Sequence, residues 1–134
     1  MDASGIFVVS WQSYGSVAGN DVDYSIQFRA FDLAGLAIDP VDVQVNTYTA
    51  GDQMRPAAGI MDGGAFEVFW TSEGSPGDPD QWSVERRPFA PDGTPAGDQS
   101  SVSTSPVLGT LPADAAMNRD GDAVASWNAL TWTS

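Results

Sequence analysis

FVVSW at residues 7–11, FEVFW at 66–70 and AVASW at 123–127 are three versions of one short strand. Trp11 and Trp70 lie 59 residues apart, and Trp70 and Trp127 lie 57 apart. Other segments recur between them in the same order. YSIQFRAFDLAG (24–35) aligns without gaps to WSVERRPFAPDG (82–93), offset by 58. QVNT (44–47) aligns with SVST (101–104), and Pro56 through Met61 aligns with Pro112 through Met117. A self-similarity of about 57 residues held over four segments is the mark of a tandem repeat. The chain divides into repeat 1 (5–61), repeat 2 (62–118) and the first strand of a third (119–134), all within one unit spanning 1–134.

Each segment has the period of a strand. Phe7, Val9 and Trp11 share one face, as do Phe66, Val68 and Trp70. Tyr24, Ile26 and Phe28 alternate with Ser25, Gln27 and Arg29, and Val41, Val43 and Val45 alternate with Asp42, Gln44 and Asn46. That predicts strands with one apolar and one polar face. Gly, Pro and β-branched residues interrupt every candidate helix. Gly turns close the connections at 33–35, 62–64, 91–93 and 119–121, with the Asp-Gly chemistry of hairpins. The polar stretches 13–23 and 72–80 are expected as long exposed loops.

Four antiparallel strands in a unit of this length describe a propeller blade. The chain also resembles a family of bacterial repeats in large secreted or surface proteins. The matching motifs are Asp62-Gly63-Gly64, Phe7-Val8-Val9-Ser10-Trp11, Phe31-Asp32-Leu33-Ala34-Gly35 and Val45-Asn46-Thr47. Repeat 2 departs from the pattern at Ala90 and Ser103. The resemblance implies β-propeller-like architecture and an extracellular or cell-surface setting, and carries no ligand or functional residue across. The expected fold is all-β, with four-stranded antiparallel blades in two repeats plus one extra strand; a β-sandwich or barrel is the alternative. Two blades cannot close a ring. The chain is therefore expected to self-associate, with the extra strand completing a neighbour's sheet, or to pack on flanking repeats of a longer chain.

Composition narrows the chemistry. Eighteen Asp and Glu stand against five Arg and no Lys, a net charge of −13. That argues against nucleic acid or an anionic membrane as partner. Hydrophobic residues make up 42%, enough for a core. No apolar run reaches transmembrane length. The opening Met1-Asp2-Ala3-Ser4 lacks the pattern of a secretory signal, so secretion would require a leader already removed or carried by a longer parent chain. Cys and His are absent from the sequence, which removes thiol chemistry, disulfides and the usual general base. No Gly-x-Ser-x-Gly and no phosphate-binding loop occurs. The three glutamates, Glu67, Glu73 and Glu85, form no recognisable glycosidase pair. A non-enzymatic protein is expected.

The candidate sites are weak ones. Asp21 with Asp23, Asp78 with Asp80, and Asp120 with Asp122 are possible calcium ligands; their Gly and Pro neighbours favour turns instead. No cofactor is otherwise expected. The recurring Trp11, Trp70 and Trp127 are expected in the core. Trp82, Trp132, Arg29 and Arg87 are candidate ligand contacts, although each Arg is expected first to pair an Asp of the next strand or blade. The function expected is a binding or structural module. A carbohydrate-binding lectin with aromatic sites between blades is the alternative, and a fragment of a hydrolase a third.

Overall fold

The computed structural model describes residues 1–16, 18–75, 78–103 and 114–127, apart from the side chains of 78–80. About 52% of the chain is strand and none of the described residues is helical, so the class is all-β. The strands are β1 (Phe7–Tyr14), β2 (Tyr24–Phe31), β3 (Val43–Gln44), β4 (Gln53–Ile60), β5 (Phe66–Ser75), β6 (Asp78–Phe89), β7 (Ser100–Ser101), β8 (Asp114–Met117) and β9 (Ala123–Ser126). They form three antiparallel sheets, ordered β1-β2-β3, β4-β5-β6-β7 and β8-β9.

The sheets are built in one register. Phe7, Val9 and Trp11 stand opposite Phe31, Arg29 and Gln27. Phe66, Val68 and Trp70 stand opposite Phe89, Arg87 and Glu85. Ala58↔Val68 and Ile60↔Phe66 in the second sheet correspond to Ala115↔Ala125 and Met117↔Ala123 in the third. Strand β4 lies in repeat 1 by sequence but pairs with β5 of repeat 2. The hydrogen-bonded sheet is thus offset by one strand from the sequence repeat.

Five turns of one kind organise the connections. In each, the first residue's N–H bonds the fifth residue's carbonyl, and the fourth residue's N–H bonds the first residue's carbonyl. They span 2–6, 32–36, 61–65, 90–94 and 118–122. The fourth residue is always Gly; Gly64, for instance, has φ +85°, a conformation costly for residues with a Cβ. Asp2, Asp32 and Asn118 add a side-chain oxygen that accepts two further backbone N–H groups. Met61 and Ala90 stand at this position in the other two turns and lack that acceptor. The turns before β1, β5 and β9 touch in series: Ala3 N–H donates to the Asp62 carboxylate, and Asp62 N–H donates to the Arg119 carbonyl.

The main core lies between the first two sheets. Ile26, Phe28 and Val45 from the first meet Phe66, Val68, Trp70 and Phe89 from the second. Phe28 sits at 4.9 Å from Phe66 and 4.7 Å from Phe89, ring centre to ring centre, while Phe66 and Phe89 stack at 5.2 Å. A smaller cluster joins the second and third sheets, with Val84 packed by Trp82, Val102 and Trp127.

Several local expectations change. Strand β2 was expected to be polar on one face, yet Ser25, Ile26, Gln27 and Phe28 are all buried. In β6 the predicted polar face likewise buries Glu85, at 1% exposure. Glu85 lies in a sheet with a neighbouring cluster on each face and is hydrogen-bonded there, whereas Gln27 is flanked within its own sheet by Trp11 and Gln44. The 72–80 stretch is no long exposed loop: β5 and β6 extend into it, and Ser72 and Gly74 are buried. The third segment shortens to Val43–Gln44, though Val45 N–H still donates to the Ile26 carbonyl. Strand β4 breaks register between Met54 and Ala57, where Arg55 has φ +56°.

Candidate functional site

The two faces of each sheet differ, and the difference locates the site. Residues directly opposite across a strand pair point to the same side. The Trp-bearing face of the first sheet therefore carries Phe7, Val9, Trp11, Phe31, Arg29, Gln27 and Gln44. In the second sheet the matching face carries Phe66, Val68, Trp70, Phe89, Arg87 and Glu85. The second of these faces is covered by the first sheet: Phe66, Val68, Trp70 and Phe89 are 0–1% exposed. The first is bare. Phe7, Trp11 and Phe31 are only half-buried, and Val9 is 45% exposed.

Polar groups tell the same story. On the covered face Trp70 Nε1 donates to Gln53 Oε1 at 2.9 Å. Arg87 Nη1 reaches across to the Val45 carbonyl at 2.9 Å, and its guanidinium lies 5.5 Å from the Phe89 ring centre. Burial lowers the Arg87 pKa, while the Asp98 charge raises it. Glu85 accepts hydrogen bonds from Ser83 and Gln99. The Gln99 carbonyl oxygen then accepts from the N–H groups of Thr47 and Tyr48 in the first repeat. On the bare face the corresponding groups are only partly bonded: Gln27 Nε2 donates to Ser25 Oγ, and Arg29 Nη2 to the Pro40 carbonyl. Gln27 Oε1, Arg29 Nε and both side-chain polar atoms of Gln44 are buried without a hydrogen bond among the described residues. Gln27 itself is 1% exposed. Trp11 has no indole acceptor among the described residues. Unmade hydrogen bonds of this kind cost about 1–3 kcal/mol each.

The predicted site residues fall as follows. Arg29 is on the bare face and pairs Asp42 at 2.9 Å, the neighbouring-strand Asp expected for it. Arg87 binds carbonyls between sheets. Trp82 is half-buried in the smaller cluster. Trp132 lies outside the described residues, as do the side chains of Asp78 and Asp80. Among the described residues no three acidic side chains gather in a metal-binding group. The Asn118 side-chain oxygen accepts the N–H groups of Asp120 and Asp122, and its amide donates to Asp122 Oδ2, which are turn contacts.

Asp21 is structural in its bonding. It is 4% exposed, accepts from Asn46 Nδ2 at 3.0 Å and accepts the Asp23 N–H. Asn46 also donates to the Tyr48 carbonyl and accepts the Ile26 N–H. It thus ties the 20–24 loop to the end of the first sheet. Burial raises the Asp21 pKa above 3.8; the charges of Asp23 and Asp52 add to this, against the hydrogen bonds of Asn46 and Asp23. A raised folded pKa favours the protonated form. The resulting stability is present in full below pH 3.8 and fades as pH rises through the raised value. Asp21→Asn should therefore look more favourable, relative to the parent, at pH 7 than at pH 3 in urea unfolding. Equal shifts in midpoint at both pH values would contradict this assignment.

Sequence reasoning missed Gln27, Gln44, Glu85 and Asn46 as site residues. The signal was present: Gln27 and Glu85 share one repeat position between strands on both sides, where a sheet is most covered.

No protein-family model, curated protein or solved structure matches the chain.

Proposed function

We propose that the chain is a non-enzymatic binding or structural module of a secreted or cell-surface bacterial protein, assembled from β-propeller-type blades and self-associating. The observation that carries this reading is the bare Trp11 face, whose counterpart on the second sheet is buried against a neighbouring sheet. Shared register across three sheets and the turns that touch in series support blades laid side by side. The long 15–23 loop and the ends of the sheets are the surfaces for recognition. Solution mass by light scattering tests the proposal: a multiple of the single-chain mass is expected, and a compact monomer at every concentration speaks against self-association.

A second reading, a carbohydrate-binding lectin, draws on one observation: half-exposed Trp11 lies on the same face as the unbonded amide oxygen of Gln27 and the unbonded amide of Gln44, the kinds of stacking surface and hydrogen-bonding group a sugar uses. Titration with a sugar panel should then change tryptophan fluorescence, and Trp11→Phe should abolish most of that change. A glycan array without hits removes this alternative.

A further inference from the structure

Two exposed faces among the described residues match each other. One is the Trp11 face of the first sheet. The other is the far face of the third sheet, where Asp114, Ala116, Val124 and Ser126 stand in two opposed pairs. Val124 is 69% exposed there, and these residues line a shallow cavity of about 110 Å³ with Ala115.

Inside the molecule, faces of these two kinds already bind each other. Val8 occupies in β1 the place that Val124 occupies in β9, three residues before the strand's Trp. Val8 packs on the core that contains Val68. Val68 in turn occupies the place of Val9, two residues before its Trp. The first-sheet face bearing Val8 thus covers the second-sheet face bearing Val68. Among the described residues the Trp11 face and the Val124 face lack that pairing.

We infer that copies of this chain associate head to tail, the Val124 face of one covering the Trp11 face of the next. This rests on the self-association proposed above and names its surfaces. The donor is a sheet face, not the AVASW strand added to a neighbour's edge that the repeat count suggests. An interface between different faces closes into a ring or runs on as a filament. A net charge of −13 makes copies repel, so association should strengthen with salt as screening increases.

The test is light scattering of the full chain across concentration and salt. Val9→Glu and Val124→Glu should each weaken association about tenfold or more, because each buries an unpaired charge. The double substitution Val9→Lys with Val124→Glu should recover part of it, since it puts opposite charges on the two facing surfaces. Both positions are solvent-exposed in the single chain, and unchanged circular dichroism and urea midpoints verify that the variants fold. Assembly that persists unaltered in both single variants overturns these surfaces while leaving self-association standing. A wild-type monomer under all conditions overturns both.

Discussion

Replacing Trp70 by alanine should lower the free energy of unfolding by about 4 kcal/mol or more, while the same replacement at Trp11 should cost about 1 kcal/mol in the isolated chain. The two residues hold one position in the repeat, opposite Glu85 and Gln27. Their surroundings differ. Trp70 is fully buried against Ile26, Phe28 and Val45. Its loss opens a cavity the size of an indole and leaves the buried Gln53 carbonyl oxygen without its donor. Trp11 is half-buried on a bare face, so its removal gives up less apolar burial and opens no closed cavity. Domains of this size hold only about 5–15 kcal/mol in total, so the Trp70 variant should sit close to unfolding at ambient temperature. Urea denaturation of the two variants side by side measures the contrast. Equal losses would mean that the first sheet's Trp face is as covered as the second's, which would remove the basis for a docking surface there.

Asn46→Ala should cost about 2–3 kcal/mol, large for the loss of a small polar side chain. Asn46 is 3% exposed and binds three groups: the Ile26 N–H, the Asp21 carboxylate and the Tyr48 carbonyl. Alanine leaves the first two buried without that partner, and Asp21 loses the hydrogen bond that opposes the rise of its pKa. The loss should therefore be larger at pH 7, where Asp21 must carry its charge, than at pH 3. Ser103 holds the matching place in repeat 2, where its hydroxyl accepts the Val84 N–H at 3.1 Å. Asn46→Ser should consequently rescue part of the loss, because it keeps the acceptor for Ile26. A loss below about 0.5 kcal/mol, the range of surface substitutions, would show that this network is not structural.

Much of the architecture was open to inspection of the sequence. Alternation in FVVSW, YSIQF and FEVFW marks strands because side chains on extended backbone point to opposite sides in turn. Gly at one position of each connection marks turns because the backbone there needs positive φ. What alternation could not reveal was which faces are covered. A central strand buries polar positions beneath its own neighbours, as at Gln27, or against a facing sheet, as at Glu85, so both looked like surface residues. Nor could it reveal that β4 pairs forward with β5, because a repeat unit read from sequence may begin at any of its strands. The acidic pairs fit both a turn and a calcium reading by residue type; Asp21 bonds Asn46, and Asp122 bonds Asn118, contacts that sequence spacing does not reveal.

The order of residues along the chain determines the strands, the glycine turns and the recurrence of Trp11, Trp70 and Trp127, since each depends on neighbours within a few positions. Whether a given copy of that pattern is core or surface depends on what lies across from it, roughly 10 Å away between packed sheets. Identical local chemistry therefore yields a buried, fully bonded face at Trp70 and an open one at Trp11, and only the packing of whole sheets distinguishes them.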